Sequence, residues 1–170
     1  MESQQIDTNK KELAATPRPA TFQGTAYHKV SARHQVAMPR HMLKAINQAQ
    51  EGQLLLLRWN NEGYLRMYTQ KQMDKMIDGI QSREDLSNED KAALTSGLTS
   101  TAVPIDPDSQ GRFVLPSHWV TALSLQGEIA FRGAHKRIEI WPAEARRDAE
   151  RLESERLAAL ASKVTDILDL

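Results

Sequence analysis

The chain contains no cysteine, which excludes a disulfide framework and any thiolate metal site. Its longest run of leucine, isoleucine or valine is Leu54 to Leu57, far short of the roughly 20 apolar residues that cross a bilayer, and its first residues hold no apolar signal core. Net charge is missing as well: 22 Lys and Arg face 22 Asp and Glu, a formal balance of +0 that at first argues against nucleic acid. There is no phosphate-binding glycine loop, no dinucleotide fingerprint and no nucleophile elbow. The histidines are His28, His34, His41, His118 and His135, and none stands at an established ligand spacing from another. Ser31, Asp106 and Asp108 form a hydrolytic triad with a histidine only on paper. The expectation is a cytoplasmic non-enzyme off the membrane, without catalytic residues, metal site, cofactor or small-molecule substrate.

The neutral total hides an uneven distribution. From Thr21 to Gln70, Lys29, Arg33, Arg40, Lys44, Arg58 and Arg66 face only Glu51 and Glu62, a local balance of +4. From Pro142 onward the balance is −2. A basic face compensated elsewhere is compatible with a polyanionic partner.

The organising stretch is Asp108-Ser109-Gln110-Gly111-Arg112-Phe113-Val114-Leu115-Pro116. Asp opens a turn by accepting backbone amides ahead of it, Gly supplies positive φ, and Phe113 to Leu115 reads as a short buried strand that proline ends. Arg112 thus sits at a hairpin tip, where its guanidinium can bind a phosphate, a carboxylate or a guanine edge through two parallel hydrogen bonds. The same organisation stands upstream. Aligning Pro39 with Pro116 pairs Val36 to Met38 with Phe113 to Leu115, His41 with His118, Gly52 with Gly127, Leu54 to Leu57 with Ile129 to Arg132, and Tyr64 to Tyr68 with Arg137 to Trp141. In this first copy Ser31 replaces Asp108, His34 replaces Gly111 and Gln35 replaces Arg112.

Around these tips the pattern predicts strands at Gln53 to Trp59 and Tyr64 to Tyr68, joined through Asn60-Asn61-Glu62-Gly63, and at Glu128 to Arg132 and Arg137 to Trp141, joined through Gly133-Ala134-His135. Short helices come after Pro39 and over Ser117 to Leu123. Met73, Met76, Ile77 and Ile80 mark a core-facing helix over Gln70 to Gln81, and Ser87 caps a second one ending near Gly97. Pro142 fits the first turn of a long charged helix, on which Leu157, Leu160, Val164 and Ile167 form a stripe that needs another surface. The organisation expected is a flexible extension at 1–20, repeats at 21–69 and 100–142, a helical hairpin at 70–99 and a C-terminal helix at 143–170.

From Phe22 to Arg146 this arrangement resembles the MraZ family of regulators of bacterial division and cell-wall gene clusters, within the SpoVT/AbrB-like superfamily. The family carries two D-x-x-x-R motifs, each leading into an apolar strand and a proline; here only Asp108 to Arg112 satisfies it, and Glu139-Ile140-Trp141 matches the end of the second repeat. The resemblance implies a mainly β fold with helices, in which tandem AbrB-like swapped-hairpin half-barrels close into an intramolecular pseudo-dimer. It also implies a nucleoid-associated, sequence-specific regulator that binds double-stranded DNA and assembles with itself into a higher homo-oligomer such as a ring, occupying repeated promoter sites. The candidate DNA-binding residues are Arg112, Asp108 and Gln110 in the second copy and Lys29, Arg33, Gln35, Arg40 and Lys44 in the first. For Arg112 the competing reading is an ion pair with Asp108 that only stabilises the turn. The competing function is an antitoxin-like or other protein-interaction module on the same barrel.

Overall fold

The structure is a computed structural model and describes residues 17–165. Pro39 and Pro116 each divide a ribbon strand from a helix: with φ of −54° and −57° each closes an extended segment and starts the helix. Proline suits that position because its fixed φ matches both sides and its missing N–H has no partner to lose. In chain order the elements are β1 (Thr25–Lys29), β2 (Gln35–Ala37), α1 (Arg40–Ala49), β3 (Leu54–Leu57), β4 (Leu65–Thr69), α2 (Gln70–Gln81) and α3 (Asn88–Thr99). They continue as β5 (Val103–Ile105), β6 (Arg112–Val114), α4 (Ser117–Leu123), β7 (Glu128–Gly133), β8 (Ile138–Pro142) and α5 (Ala143–Ala161). Pro142 is the N-cap of α5 and not a residue of its first turn.

The strands form an antiparallel sheet of six, in the order β1-β7-β8-β4-β3-β5, and a separate two-stranded ribbon, β2-β6. Pairing repeatedly joins distant parts of the chain. Ala26, Tyr27 and His28 lie opposite Phe131, Ala130 and Ile129, while Val103, Pro104 and Ile105 lie opposite Leu56, Leu55 and Leu54. Val36 faces Phe113 in the ribbon and Arg66 faces Glu139 between β4 and β8.

One core fills the space between sheet and ribbon. Val36, Phe113 and Leu115 from the ribbon side meet Leu54, Leu56, Leu65, Met67, Ile129, Phe131, Ile138 and Ile140, with Met42 of α1 and Val120 of α4 closing the ends. Each such burial contributes about 1.5–3 kcal/mol. A second layer lies on the outside of β3 and β4, where Leu55, Leu57 and Tyr68 meet Met73 of α2 and Leu98 of α3. Leu54 to Leu57 is therefore an unbroken apolar run because both faces of β3 are covered. The helical hairpin packs on its own sheet, and α3 runs two residues beyond Gly97, capped at Ser87 as its sequence predicts.

Three further details differ from the sequence expectation. Ala20, placed in the extension, is buried, and its N–H donates to the buried Glu51 carboxylate at 3.3 Å; the rest of that expectation, up to residue 16, lies outside the described residues, as does Ile167. The turn between β7 and β8 comes later than Gly133: Gly133 ends β7, and Ala134 N–H bonds the Arg137 carbonyl across the bend. Gly133 is there for proximity, since a Cβ on it would lie 2.3 Å from the Gln23 nitrogen. Finally, Val114 is 56% exposed, so the apolar triplet after Arg112 is not wholly buried. Alternation explains it: Phe113 and Leu115 point inward and the residue between them cannot.

Candidate nucleic-acid interface

The two hairpin tips have the same internal wiring built from different residues. At the second tip the Asp108 carboxylate accepts the N–H groups of Gln110 and Arg112, both at 2.9 Å, while Asp108 N–H bonds the Arg112 carbonyl and Gly111 N–H the Asp108 carbonyl. At the first tip Ser31 Oγ accepts the N–H groups of Arg33 and Gln35 at 3.3 and 3.1 Å, Ser31 N–H bonds the Gln35 carbonyl, and His34 N–H the Ser31 carbonyl. The fourth position turns with φ +78° at Gly111 and +62° at His34. Serine can do what aspartate does because both place a side-chain oxygen in reach of the same amides. Left-handed backbone at a histidine costs more than at glycine; the ring is held by Ser117 Oγ, 3.2 Å from His34 Nδ1.

The tips differ in charge. Arg112 donates from Nε to Asp108 at 2.7 Å, so the internal ion pair is present. Amide donation from Arg112, together with its guanidinium, holds the Asp108 carboxyl below its usual range. The pairing uses only Nε, and no partner for either terminal nitrogen of Arg112 occurs among the described residues. Ion pair and outward presentation therefore coexist: the carboxylate fixes the fork and leaves its far edge open. The first tip carries no acidic side chain, only Lys29 and Arg33, both exposed.

Antiparallel pairing of β2 with β6 joins the tips, 77 residues apart in sequence judged by Gln35 and Arg112, through one short ribbon with a tip at each end, so that Gln35 and Arg112 stand diagonally across its outer face. On the outer face of the ribbon Gln35, Arg112 and Val114 are exposed and Ala37 half-buried, while Val36 and Phe113 face the core. Beside the ribbon an open cleft of about 1170 Å³ is lined by Arg40, Lys44 and Asn47 of α1, by His28 and Ala37, and by Ser109 and Gln110 of the second tip. Gln110, Arg40 and Lys44 thus meet across one groove, with Gln35 and Arg112 on the neighbouring face. Lys29 and Arg33 stand at the start and turn of the first tip.

His41 and His118, equivalent in sequence, have different surroundings. His41 Nε2 bonds the Gln23 carbonyl at 3.0 Å, whereas His118 lies against Trp119 with ring centroids 4.8 Å apart. His28 donates from Nδ1 to the Ala37 carbonyl at 2.5 Å, tying β1 to the ribbon. No group of three or more His, Cys, Asp or Glu side chains that could hold a metal occurs among the described residues, and no helix there is long and apolar enough to cross a membrane.

Sequence reasoning missed the outward Val114 and the buried polar groups that brace the frame. Glu139, 1% exposed, accepts Arg132 at 2.9 Å, Arg137 at 2.6 Å and Trp141 Nε1–H at 2.9 Å. Burial pushes its carboxyl up, yet these donors hold it below the usual range. Arg146 of α5 is buried with its guanidinium 5.0 Å from the Trp141 ring centre and bonded to Glu150 and Glu153. Farther along α5, Leu152, Leu157 and Leu160 are exposed at 62%, 62% and 42%.

Comparison with known proteins adds a family. Residues 98–166 match the sequence model of a family described as "MraZ protein, putative antitoxin-like". A protein of Gluconobacter oxydans named Transcriptional regulator MraZ is 30% identical over 143 residues, covering 81% of this chain and 87% of the relative. Proteins of the same name from Gluconacetobacter diazotrophicus and Bacteroides thetaiotaomicron are 26% and 24% identical, covering 82% and 72% of this chain and 91% and 79% of theirs.

Proposed function

The chain belongs to the MraZ family, and from that premise we propose that it is a transcriptional regulator that binds double-stranded DNA with the outer face of the β2-β6 ribbon. The observation that carries this reading is the placement of two like-wired tips at the two ends of one short ribbon, whose outer face presents Gln35 and Arg112 on a diagonal beside a cleft edged by Arg40 and Lys44. A two-stranded ribbon fits the major groove. There the Arg112 fork reads guanine, Gln35 reads adenine, Gln110 and the cleft track the backbone, and Asp108 orients Arg112 without touching the anionic duplex. Lys29, Arg33, Arg40 and Lys44 neutralise phosphates.

In this reading 21–69 and 100–142 are AbrB-like halves that exchange hairpins and close into an intramolecular pseudo-dimer. The reciprocal pairing of β1 with β7 and of β5 with β3, and the facing of Val36 with Phe113 and Arg66 with Glu139, support it. Several copies assembled through the exposed α5 leucines occupy repeated sites in the promoter of a division and cell-wall gene cluster, where occupancy sets promoter access. The same leucines favour a second reading, a protein-interaction module whose partner covers α5.

Measuring affinity for DNA upstream of the chain's own gene between 50 and 200 mM salt tests the first reading. Four phosphate contacts predict a slope of log K against log salt near about −3.6. Affinity that is undetectable, or that does not change with salt, overturns it and leaves the interaction module.

A further inference from the structure

Val114 is a large aliphatic side chain at the end of a strand, exposed where its chain neighbours Phe113 and Leu115 are 5% and 0% exposed. Its place in the ribbon is specific. It lies directly opposite Gln35, and Ala37 lies directly opposite Arg112. Backbone bonds from Leu115 N–H to the His34 carbonyl and from Met38 N–H to the Gly111 carbonyl bracket these positions. Both rungs are therefore the non-hydrogen-bonded kind, in which facing side chains approach most closely. The outer face thus carries two rungs, each made of one hydrogen-bonding side chain and one aliphatic side chain: Gln35 with Val114, Arg112 with Ala37. The hydrogen-bonding members sit on the diagonal.

Resting on the reading that this face enters the major groove, we propose that the Gln35–Val114 rung is an A·T-reading unit, with Val114 as its specificity-determining residue. An amide side chain matches adenine through N6 and N7, and the distinguishing mark of thymine in the same groove is its C5-methyl, which only an apolar partner rewards. Facing side chains are rooted about 5 Å apart. Successive bases on one strand rise by about 3.4 Å. One rung therefore spans an adenine and a thymine of the same or adjacent base pairs. Arg112 reads guanine from the second rung, where the shorter Ala37 leaves room for the fork. The two tips, wired alike, then read different bases, and an A·T pair adjoins a G·C pair in the preferred site.

The test uses the full chain and a duplex that it selects from a random-sequence pool, with thymine replaced by uracil one position at a time. Uracil removes only the C5-methyl. At one thymine beside the guanine that Arg112 requires, the wild-type chain should lose affinity about fourfold, the worth of one buried methyl. Val114→Ala should lose a similar factor on thymine DNA and nothing further on uracil DNA at that position. Val114→Thr, of nearly the same shape and with an unchanged circular dichroism spectrum, should also weaken binding to thymine DNA. Selection of a preferred duplex that Arg112→Ala binds weakly, with no thymine at which wild type and Val114→Ala respond differently to uracil, overturns the assignment of Val114 and leaves the DNA-binding reading standing. A pool from which nothing is enriched overturns both.

Discussion

Gly133→Ala is the substitution to which the frame should be most sensitive for its size. A Cβ there would lie 2.3, 2.5 and 2.5 Å from the nitrogen and Cα of Gln23 and the carbonyl carbon of Phe22. All three are backbone atoms, so the segment itself must move. Doing so breaks the bonds from Phe22 N–H to the His135 carbonyl, from His135 N–H to the Phe22 carbonyl and from Gly133 N–H to the Gly24 carbonyl, at 2.8, 3.0 and 2.8 Å. It also lifts Phe22, 2% exposed, out of the core. Three net hydrogen bonds at about 0.5–1.5 kcal/mol each and one large side chain at about 1.5–3 kcal/mol give a loss of roughly 3–7 kcal/mol. At about 2–4 °C per kcal/mol for a chain of this size, the midpoint should fall by at least about 6 °C. Urea and thermal unfolding monitored by circular dichroism measure it. Gly63→Ala, where a Cβ meets nothing within 4 Å, is the control and should change nothing measurable. Gly133→Ala within about 1 kcal/mol of wild type would refute the close-approach argument.

Glu139→Gln leaves Arg132 and Arg137 without their buried counter-charge and should cost roughly 2 kcal/mol in urea unfolding at pH 7. Because the Glu139 carboxyl is held low in the folded chain, its contribution is full above the usual glutamate range near about pH 4.3 and disappears as pH falls through the lower folded value; the variant's stability should fall less over that window. Asp108→Ser should fold normally, since Ser31 already makes the same two amide bonds, but should lose several-fold in preference for a selected duplex over random DNA because the Arg112 fork is no longer held. Leu157→Gln with Leu160→Gln should shift light-scattering mass from an assembly larger than a dimer toward smaller species, and an unchanged assembly would remove α5 from the contact. Dialysis against chelator should leave folding and DNA affinity unchanged; a loss restored by zinc would show that His41 or His118 binds metal.

Much of this arrangement was legible in the chain because local chemistry and tertiary structure agree. The spacing of Met73, Met76, Ile77 and Ile80 gives α2 and its buried face, Ser117 to Leu123 is α4 as its sequence predicts, and Asp108 to Arg112 makes the turn its residues dictate. What escaped depends on neighbours distant in sequence. Gly133 reads as a turn residue, and only the approach of Phe22 and Gln23 gives it another reason. Val114 reads as core from composition, and it points outward because it alternates with Phe113 and Leu115, which the core claims. The burial of Arg146 and Glu139 depends on Trp141 and on the arginines paired with Glu139, which no local pattern announces. Ser31 reads as a degenerate motif, although its hydroxyl does the aspartate's work on the backbone.

The outer ribbon face as a DNA-reading surface is tested most directly by titrating wild-type and Arg112→Ala chains side by side against DNA upstream of the chain's own gene, at fixed salt, with circular dichroism to establish that both are folded. Loss of a bidentate guanine contact, about 1–3 kcal/mol, predicts that Arg112→Ala binds roughly tenfold or more weakly. Its affinity for unrelated DNA should change much less. A folded Arg112→Ala chain that binds the specific duplex as tightly as wild type would contradict the account, leaving the Asp108–Arg112 pair as a turn brace and the basic first tip as the surface that meets DNA.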